Sequence, residues 1–226
     1  MFAFCKPVSS KKRFLSFRSL YEDFSFSLYE KASALPEKDW EAISKKNTVF
    51  LEKEYLKIVE TGEHTKLTSR YVIVYYKGQP CGIIYFQIVD FKAGVFGELL
   101  DHQVETIKSK RLNLFEKYID SNKEEVLLRL FTCGNNLVSG EYGFLFDKKI
   151  DNEQANTILL MIIELVSKEE KLARTISAIL LKDFHAPLKP RELFEDENYS
   201  DFFVEPNLVI EMPEGIDSVN AYIGWF

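Results

Sequence analysis

The chain has little of what most catalytic motifs require. It carries only three cysteines and three histidines, and none of them stands at metal-ligand spacing to another, so no metal site is expected. Cys5, Cys81 and Cys133 are odd in number and far apart, which excludes a disulfide framework and fits thiols kept reduced in a cytoplasm. Cys81 and Cys133 lie in strand-like runs and read as small buried hydrophobes. No G-x-S-x-G occurs; Val138-Ser139-Gly140 comes nearest and does not fit it, so a Ser–His–Asp hydrolase of that type has no support. Three of the ten glycines, Gly134, Gly140 and Gly143, fall within "FTCGNNLVSGEYGFLF" (131–146), mid-chain and at the wrong spacing for a dinucleotide loop. The longest apolar stretch, "TILLMIIELV" (157–166), is interrupted by Glu164 and is about half of what a bilayer requires, so no membrane-spanning helix is expected.

A net positive balance is also lacking. The net charge is −6, and Lys6, Lys11, Lys12, Arg13 and Arg18 all fall before the first acid, so the rest is more acidic than the total. An acidic body argues against a DNA or RNA partner, because phosphate binding needs a basic face. Residues 1–22 read as a basic, flexible leader, with an organelle transit peptide as the alternative; the apolar run of a secretory signal is missing.

What is present is a well-patterned α/β chain. At 226 residues and 46% apolar, one core is easily built. "DFSFSLYEKA" (23–32) alternates as a half-buried strand. "LPEKDWEAISKKN" (35–47) predicts a helix with acids in its first turn, and "TVFLEKEYLKIVETG" (48–62) a second, with Phe50, Leu51, Tyr55, Ile58 and Val59 on one face. "RYVIVYYKGQPCGIIYFQIVDF" (70–91) is an antiparallel hairpin about a Gly/Pro turn. Residues 101–125 predict a charged helix with a solvated face. "EVLLRLFTC" (125–133) and "GEYGFLF" (140–146) are one long strand or two, with "GNNLVSG" a bend or bulge. A helix over 152–171, apolar round much of its circumference, precedes the buried strand "RTISAILLKDF" (174–184). A strand with a proline bulge is expected within 200–213, and a last helix within 214–226, with Val219, Tyr222, Ile223 and Phe226 on one face. The whole predicts one mixed α/β sheet covered by helices.

This order, with "YYKGQPCGIIYFQ" as a strand, turn and return strand, and "GNNLVSGEYGFLF", a helix and "ISAILLKDF" following, resembles the GNAT (acyl-CoA N-acyltransferase) superfamily. The branch it looks like is related to the Fem-type peptidyltransferases. The resemblance covers 23–213 and implies a mostly antiparallel central sheet and direct transfer of an acyl group to an amine. The acceptor would be a small-molecule or peptide-like amine, such as an envelope precursor in a bacterial cytoplasm, and acyl-CoA would be the co-substrate. It also implies that 214–226 leads toward a second half or forms an interface, for instance in a homodimer through the C-terminal aromatic helix.

In such a fold the pyrophosphate of the donor sits at the N-terminus of the helix after the central strand, where free N–H groups favour anions. The matching stretch here is "DKKIDNEQAN" (147–156), which has no glycine and holds Asp147, Asp151 and Glu153. Phe144, Phe146, Lys148, Lys149, Asn152 and Ala155 are the cofactor-binding positions that the resemblance implies. Read from the residues alone, Asp151 or Asn152 is an N-cap that needs no ligand. Glu141 is the candidate base, or else a surface carboxylate at a strand start, and Tyr142 or Tyr199 is the candidate acid. Lys182 and Asp183 end a buried strand, where substrates gather in open α/β sheets, or where a strand merely meets solvent. The alternative function is a non-catalytic binding or assembly module that keeps the fold without the donor.

Overall fold

A computed structural model describes residues 2–7, 23–45, 49–62, 67–92, 127–138, 140, 143–168, 176–184, 191–197, 199–203, 216 and 218–225. The strands are β1 (Phe2–Pro7), β2 (Phe24–Tyr29), β3 (Leu67–Tyr76), β4 (Gln79–Lys92), β5 (Leu127–Cys133), β6 (Phe144–Phe146), β7 (Ala178–Phe184) and β8 (Ser200–Phe203). The α-helices are α1 (Glu37–Ser44), α2 (Lys53–Thr61), α3 (Asn152–Ser167), α4 (Arg191–Asp196) and α5 (Val219–Trp225). The predicted helix over 101–125, and the expected strand beyond residue 203, lie outside the described residues.

The β3–β4 hairpin is the template for the rest. Tyr76 pairs with Gln79, so the turn is Lys77-Gly78, and both residues have positive φ, 50° and 75°. Those angles give the two-residue turn whose twist matches the flanking strands. Pro80 falls inside β4 opposite Tyr75, where the register slips, as a residue without an N–H demands. β2 pairs with the outer edge of β3. Beyond β4 the order continues β5, β7, β1, β8, with β5 and β7 parallel and the remaining pairs antiparallel. The fold is therefore a mixed α/β structure with a mostly antiparallel open sheet between helices.

The two faces follow from the period of two. Val72, Val74, Ile84, Phe86, Phe131 and Cys133 pack with α3 through Ile158, Leu159, Ile162 and Ile163. Tyr71, Ile73, Ile83 and Tyr85 form the other core, against Trp40, Ile43, Leu51 and Leu56. Each such fully buried Leu, Ile or Phe side chain contributes about 1.5–3 kcal/mol relative to exposure. Trp40 on α1 is wholly buried and its indole N–H donates to the Leu51 carbonyl at 2.7 Å, so the helix and the turn before α2 are fixed together. The apolar stripe of α2 differs from the expected one: Leu56 and Val59 are buried, while Ile58 is 69% exposed. The shift follows from where α2 begins: Val49–Leu51 forms a separate 3-10 turn, so the helix proper has a different phase.

The N-terminal expectation is corrected more substantially. Residues 2–7 are not part of a flexible leader. They form β1, an inner strand paired with β7 on one side and β8 on the other. At the other end α5 is present and capped by Ser218, whose hydroxyl accepts the Ala221 N–H at 3.1 Å. Val219 and Ile223 of its expected apolar face stand exposed and Tyr222 is half-buried.

Candidate functional site

β4 has two partners along one edge. Phe86–Lys92 pair with β5, and Gly82–Ile84 pair with β6. Between them the chain leaves the sheet, with residues 134–138, 140 and 143 described, and Tyr85 clamps the two ends of this loop into a neck. The Gly134 N–H donates to the Tyr85 carbonyl at 3.1 Å, and the Tyr85 N–H donates to the Gly143 carbonyl at 2.7 Å. The expected bend or bulge is thus a closed excursion. Gly143 is confined to glycine by that neck, because a Cβ there would lie 3.0 Å from Cys133 C and Gly134 N.

β7 runs beside β5 only as far as Cys133↔Leu181. Past that point β6 continues along β4 while Lys182 and Asp183 stand across from it, and the sheet opens. The resulting cleft, about 550 Å³, is lined by residues 143–148, Ile150, Asp151, Asn152, Ala155, Asn156, Lys182 and Asp183. Its size is that of an ordinary small-ligand site. The ladder fixes one edge of it. Gly143 and Asp147 bond to β4, the Asp147 N–H donating to the Cys81 carbonyl at 2.8 Å. By the alternation of an antiparallel pair, the Phe146 amide and carbonyl then point the other way, toward β7.

The loop is held on both sides by polar groups. Gln87 is wholly buried in β4 and uses its full capacity: Oε1 accepts from Asn136 N (2.7 Å) and Nδ2 (2.9 Å), and Nε2 donates to Tyr85 Oη (2.7 Å) and Asn135 Oδ1 (3.2 Å). Asn135 Nδ2 donates on to Tyr55 Oη of α2 at 3.0 Å. Burial pushes the Tyr85 hydroxyl above the usual phenol range, so it stays protonated. Tyr71 stacks on Tyr85 with ring centroids 5.2 Å apart and donates to Glu60 Oε1 at 2.8 Å. From the other side Lys182 Nζ donates to the carbonyls of Asn135 (2.8 Å) and Val138 (2.6 Å) and pairs with Asp183 Oδ2 at 2.7 Å. Asp183 Oδ2 also accepts the Gly140 N–H at 2.9 Å.

The first turn of α3 is capped at one N–H by the chain itself. Asp151 Oδ1 accepts the Gln154 N–H at 2.8 Å, the N-cap that the sequence suggests. Asp147 precedes it and Glu153 lies in the same turn, so the local charge is negative. Asp151→Ala is expected to destabilise the fold by about 1 kcal/mol, with Asp151→Asn close to the parent. Urea unfolding followed by circular dichroism reads the difference, and equal midpoints for all three proteins would show that the cap contributes nothing.

Of the positions implied for a cofactor, Phe144, Phe146, Lys148, Asn152 and Ala155 line the cleft. Lys149 does not; it is exposed and its backbone N–H donates to Asp147 Oδ1. Lys182 and Asp183 form a wall, but they bind the loop and do not meet solvent as a plain strand end would. Tyr199, the other acid candidate, is buried in the core against Phe194, with ring centroids 5.5 Å apart, and is not among the residues that line the cleft. Glu141 and Tyr142 lie outside the described residues. Cys81 is pushed up to about 11 by burial, with Asp147 adding to it, and burial raises Cys133 further, so neither is a thiolate at neutral pH. Gln87, Asn135 and Asn156 were not singled out by sequence. Each is a polar residue inside or beside an apolar run, and that is the signal they offered.

Among the described residues no cluster of His, Cys, Asp and Glu has the makings of a metal site, and no helix is long and apolar enough to cross a membrane. Comparison of the chain with protein-family models, with curated proteins and with solved structures gives no match.

Proposed function

We propose that this chain is a GNAT-like N-acyltransferase domain that joins an acyl thioester to an amine in the β6–β7 cleft. The observation that carries the reading is the divergence of β7 from β6, which opens a ligand-sized cleft above α3 and turns the Phe146 amide edge toward it. A flat thioester arm can lie along such an edge as an added strand would. A backbone N–H on that edge would polarise the thioester carbonyl. The amine nitrogen then bonds to the carbonyl carbon, the C–S bond breaks, and the thiolate takes up the proton that the amine loses. Glu141, at the mouth of β6 by sequence, is the proposed base. The acceptor class is a small or peptide-like amine, and a bacterial cytoplasm is the proposed setting.

Calorimetric titration with acetyl-CoA and longer acyl-CoAs, followed by a free-thiol assay over a panel of amines, tests this. Saturable heat and amine-dependent thiol release are expected. No heat at high micromolar acyl-CoA would end the CoA reading.

A second reading, a binding or assembly module without catalysis, is favoured by the capped and acidic start of α3 and by the exposed Val219 and Ile223 on α5. It gains support if the protein dimerises in light scattering and releases no thiol.

A further inference from the structure

We propose that the chain forms a two-fold dimer in which the outer edge of β2 pairs antiparallel with the same edge of a second copy, centred on Ser27. The proposal is independent of what the cleft binds, because β3 and β4 stand between β2 and β6.

β2 is the last described strand on its side of the sheet, and no described strand pairs with its outer edge. Native edges are blunted by a proline, a lysine, an inward charge or a bulge. "FSFSLY" holds no such residue, and its ladder with β3 runs without a register slip. The opposite edge strand, β8, is shorter and holds Asp201. β2 is the unguarded edge.

The direction of its backbone groups follows from one bond. The Lys77 N–H donates to the Asp23 carbonyl at 3.0 Å, so Asp23 and the odd residues after it turn their amide groups toward β3. By the same alternation those of Phe26 and Leu28 turn outward. Their side chains lie half-buried against the core on the α3 face, while Ser27 lies on the face of Tyr29, toward α1 and α2.

A second copy fits this edge in one register. Outward residues must oppose outward residues, so the axis passes through a residue and not between two. Centred on Ser27, it sets the exposed Asp23 of each copy opposite the exposed Lys31 of the other. Centred on Phe26 it would set Asp23 against Tyr29, and centred on Leu28 it would set Lys31 against Ser25. Only the Ser27 register joins opposite charges at both ends. Asp23 also lies 3.5 Å from Lys77, but its side chain is 54% exposed and open to a second cation. Lys31 keeps an extended backbone, with φ −139° and ψ 140°, so it continues the line of the strand. In this register Phe26 of one copy and Leu28 of the other exchange both N–H···O bonds and pack side by side over the α3 face.

The test is sedimentation velocity of the whole chain over a concentration series. A monomer–dimer equilibrium is expected, with a roughly micromolar dissociation constant suited to a small interface. Ser27→Lys and Ser27→Glu each set like charges directly opposite across the axis, and each is expected to be monomeric over the same range. An equal mixture of the two is expected to dimerise again, since lysine then faces glutamate. Ser27→Cys is expected to give a disulfide-linked dimer on mild oxidation, because the opposed Cα atoms of such a pair lie about 4.5 Å apart. The parent and Ser25→Cys, whose residue 25 faces Tyr29, are expected to stay unlinked. A parent that remains monomeric overturns the proposal. So does a dimer that persists in Ser27→Lys, which would place the contact elsewhere, as on α5. Growth beyond a dimer also overturns it, because a closed two-fold uses up the edge. If the charged variants do not fold, Ser27→Cys decides, and no linkage there overturns the proposal. A dimer lost in Ser27→Lys and regained in the mixture supports it whether or not the protein releases thiol.

Discussion

Lys182→Met is expected to destabilise the protein by about 3–5 kcal/mol, the cost of leaving a buried carboxylate without its cation. Asp183 is 2% exposed and the Lys182 side chain 16%, so water cannot replace the lost ammonium. All three N–H groups of that ammonium have partners: the Asp183 carboxylate and the carbonyls of Asn135 and Val138. Methionine fits the space of the stem but satisfies none of them. Asp183→Asn is expected to be milder, about 1–3 kcal/mol, because its amide oxygen can still accept the Gly140 N–H. Asn also tolerates the φ of 70° that Asp183 adopts, which few other side chains do. Urea unfolding of both single variants and the double variant gives the coupling between the two side chains. A Lys182→Met protein within 1 kcal/mol of the parent would mean that the pair is screened by water and does not anchor the loop.

The parts of the fold legible in the sequence are those set by local pattern. β3 and β4 alternate over "RYVIVYY" and "CGIIYFQIV", and Gly78 marks the turn; α3 is a long apolar run opened by Asp151. β1 was not legible because nothing in "FAFCKP" specifies its partners. It is a strand through pairing with 178–184 and 200–203, at the far end of the chain, and its own ladder bonds have no local signature. The loop at 134–143 shows the same limit. Its glycines announce a break in the strand, but the closed neck depends on Tyr85 from β4. Ile58 was misplaced because the helical phase was counted through a 3-10 turn.

The candidate site divides along the same line. Phe144, Phe146, Lys148, Asn152 and Ala155 line the cleft because they lie on β6, the turn after it and the start of α3, whose order the sequence displays. Tyr199 stands apart from the cleft lining because its place depends on packing with Phe194 and α4, a tertiary matter. Asn156 was hidden within "QANTILLM", where one of three polar residues at the start of an apolar run attracts no motif. Its burial beside a cleft is visible only once β7 and β6 are seen to part.

Gln87→Leu is expected to cost about 2–4 kcal/mol, since each buried partner left unsatisfied is expensive and here several lose their bonds together. Leucine fills the apolar volume in β4 but strands the Asn136 N–H and side-chain amide, and it takes one bond each from the Tyr85 hydroxyl, which keeps Ser69 Oγ at 3.4 Å, and from Asn135 Oδ1, which keeps the Leu137 N–H at 2.9 Å. The effect should be local before it is global. Hydrogen exchange at the Asn136 amide is expected to speed up strongly in this variant, while amides in the centre of α3 keep the protection set by global unfolding. Unchanged exchange at Asn136 would mean that the loop is held without Gln87. Gln87 grips the loop from the face of α1 and α2, and Lys182 grips it from β7. If both act on the same segment, the double variant Gln87→Leu/Lys182→Met should cost less than the two single changes added, because a loop already released has little more to lose. Strict additivity would instead make them independent fastenings, and the loop would then not transmit a change on the helical face to the wall of the cleft.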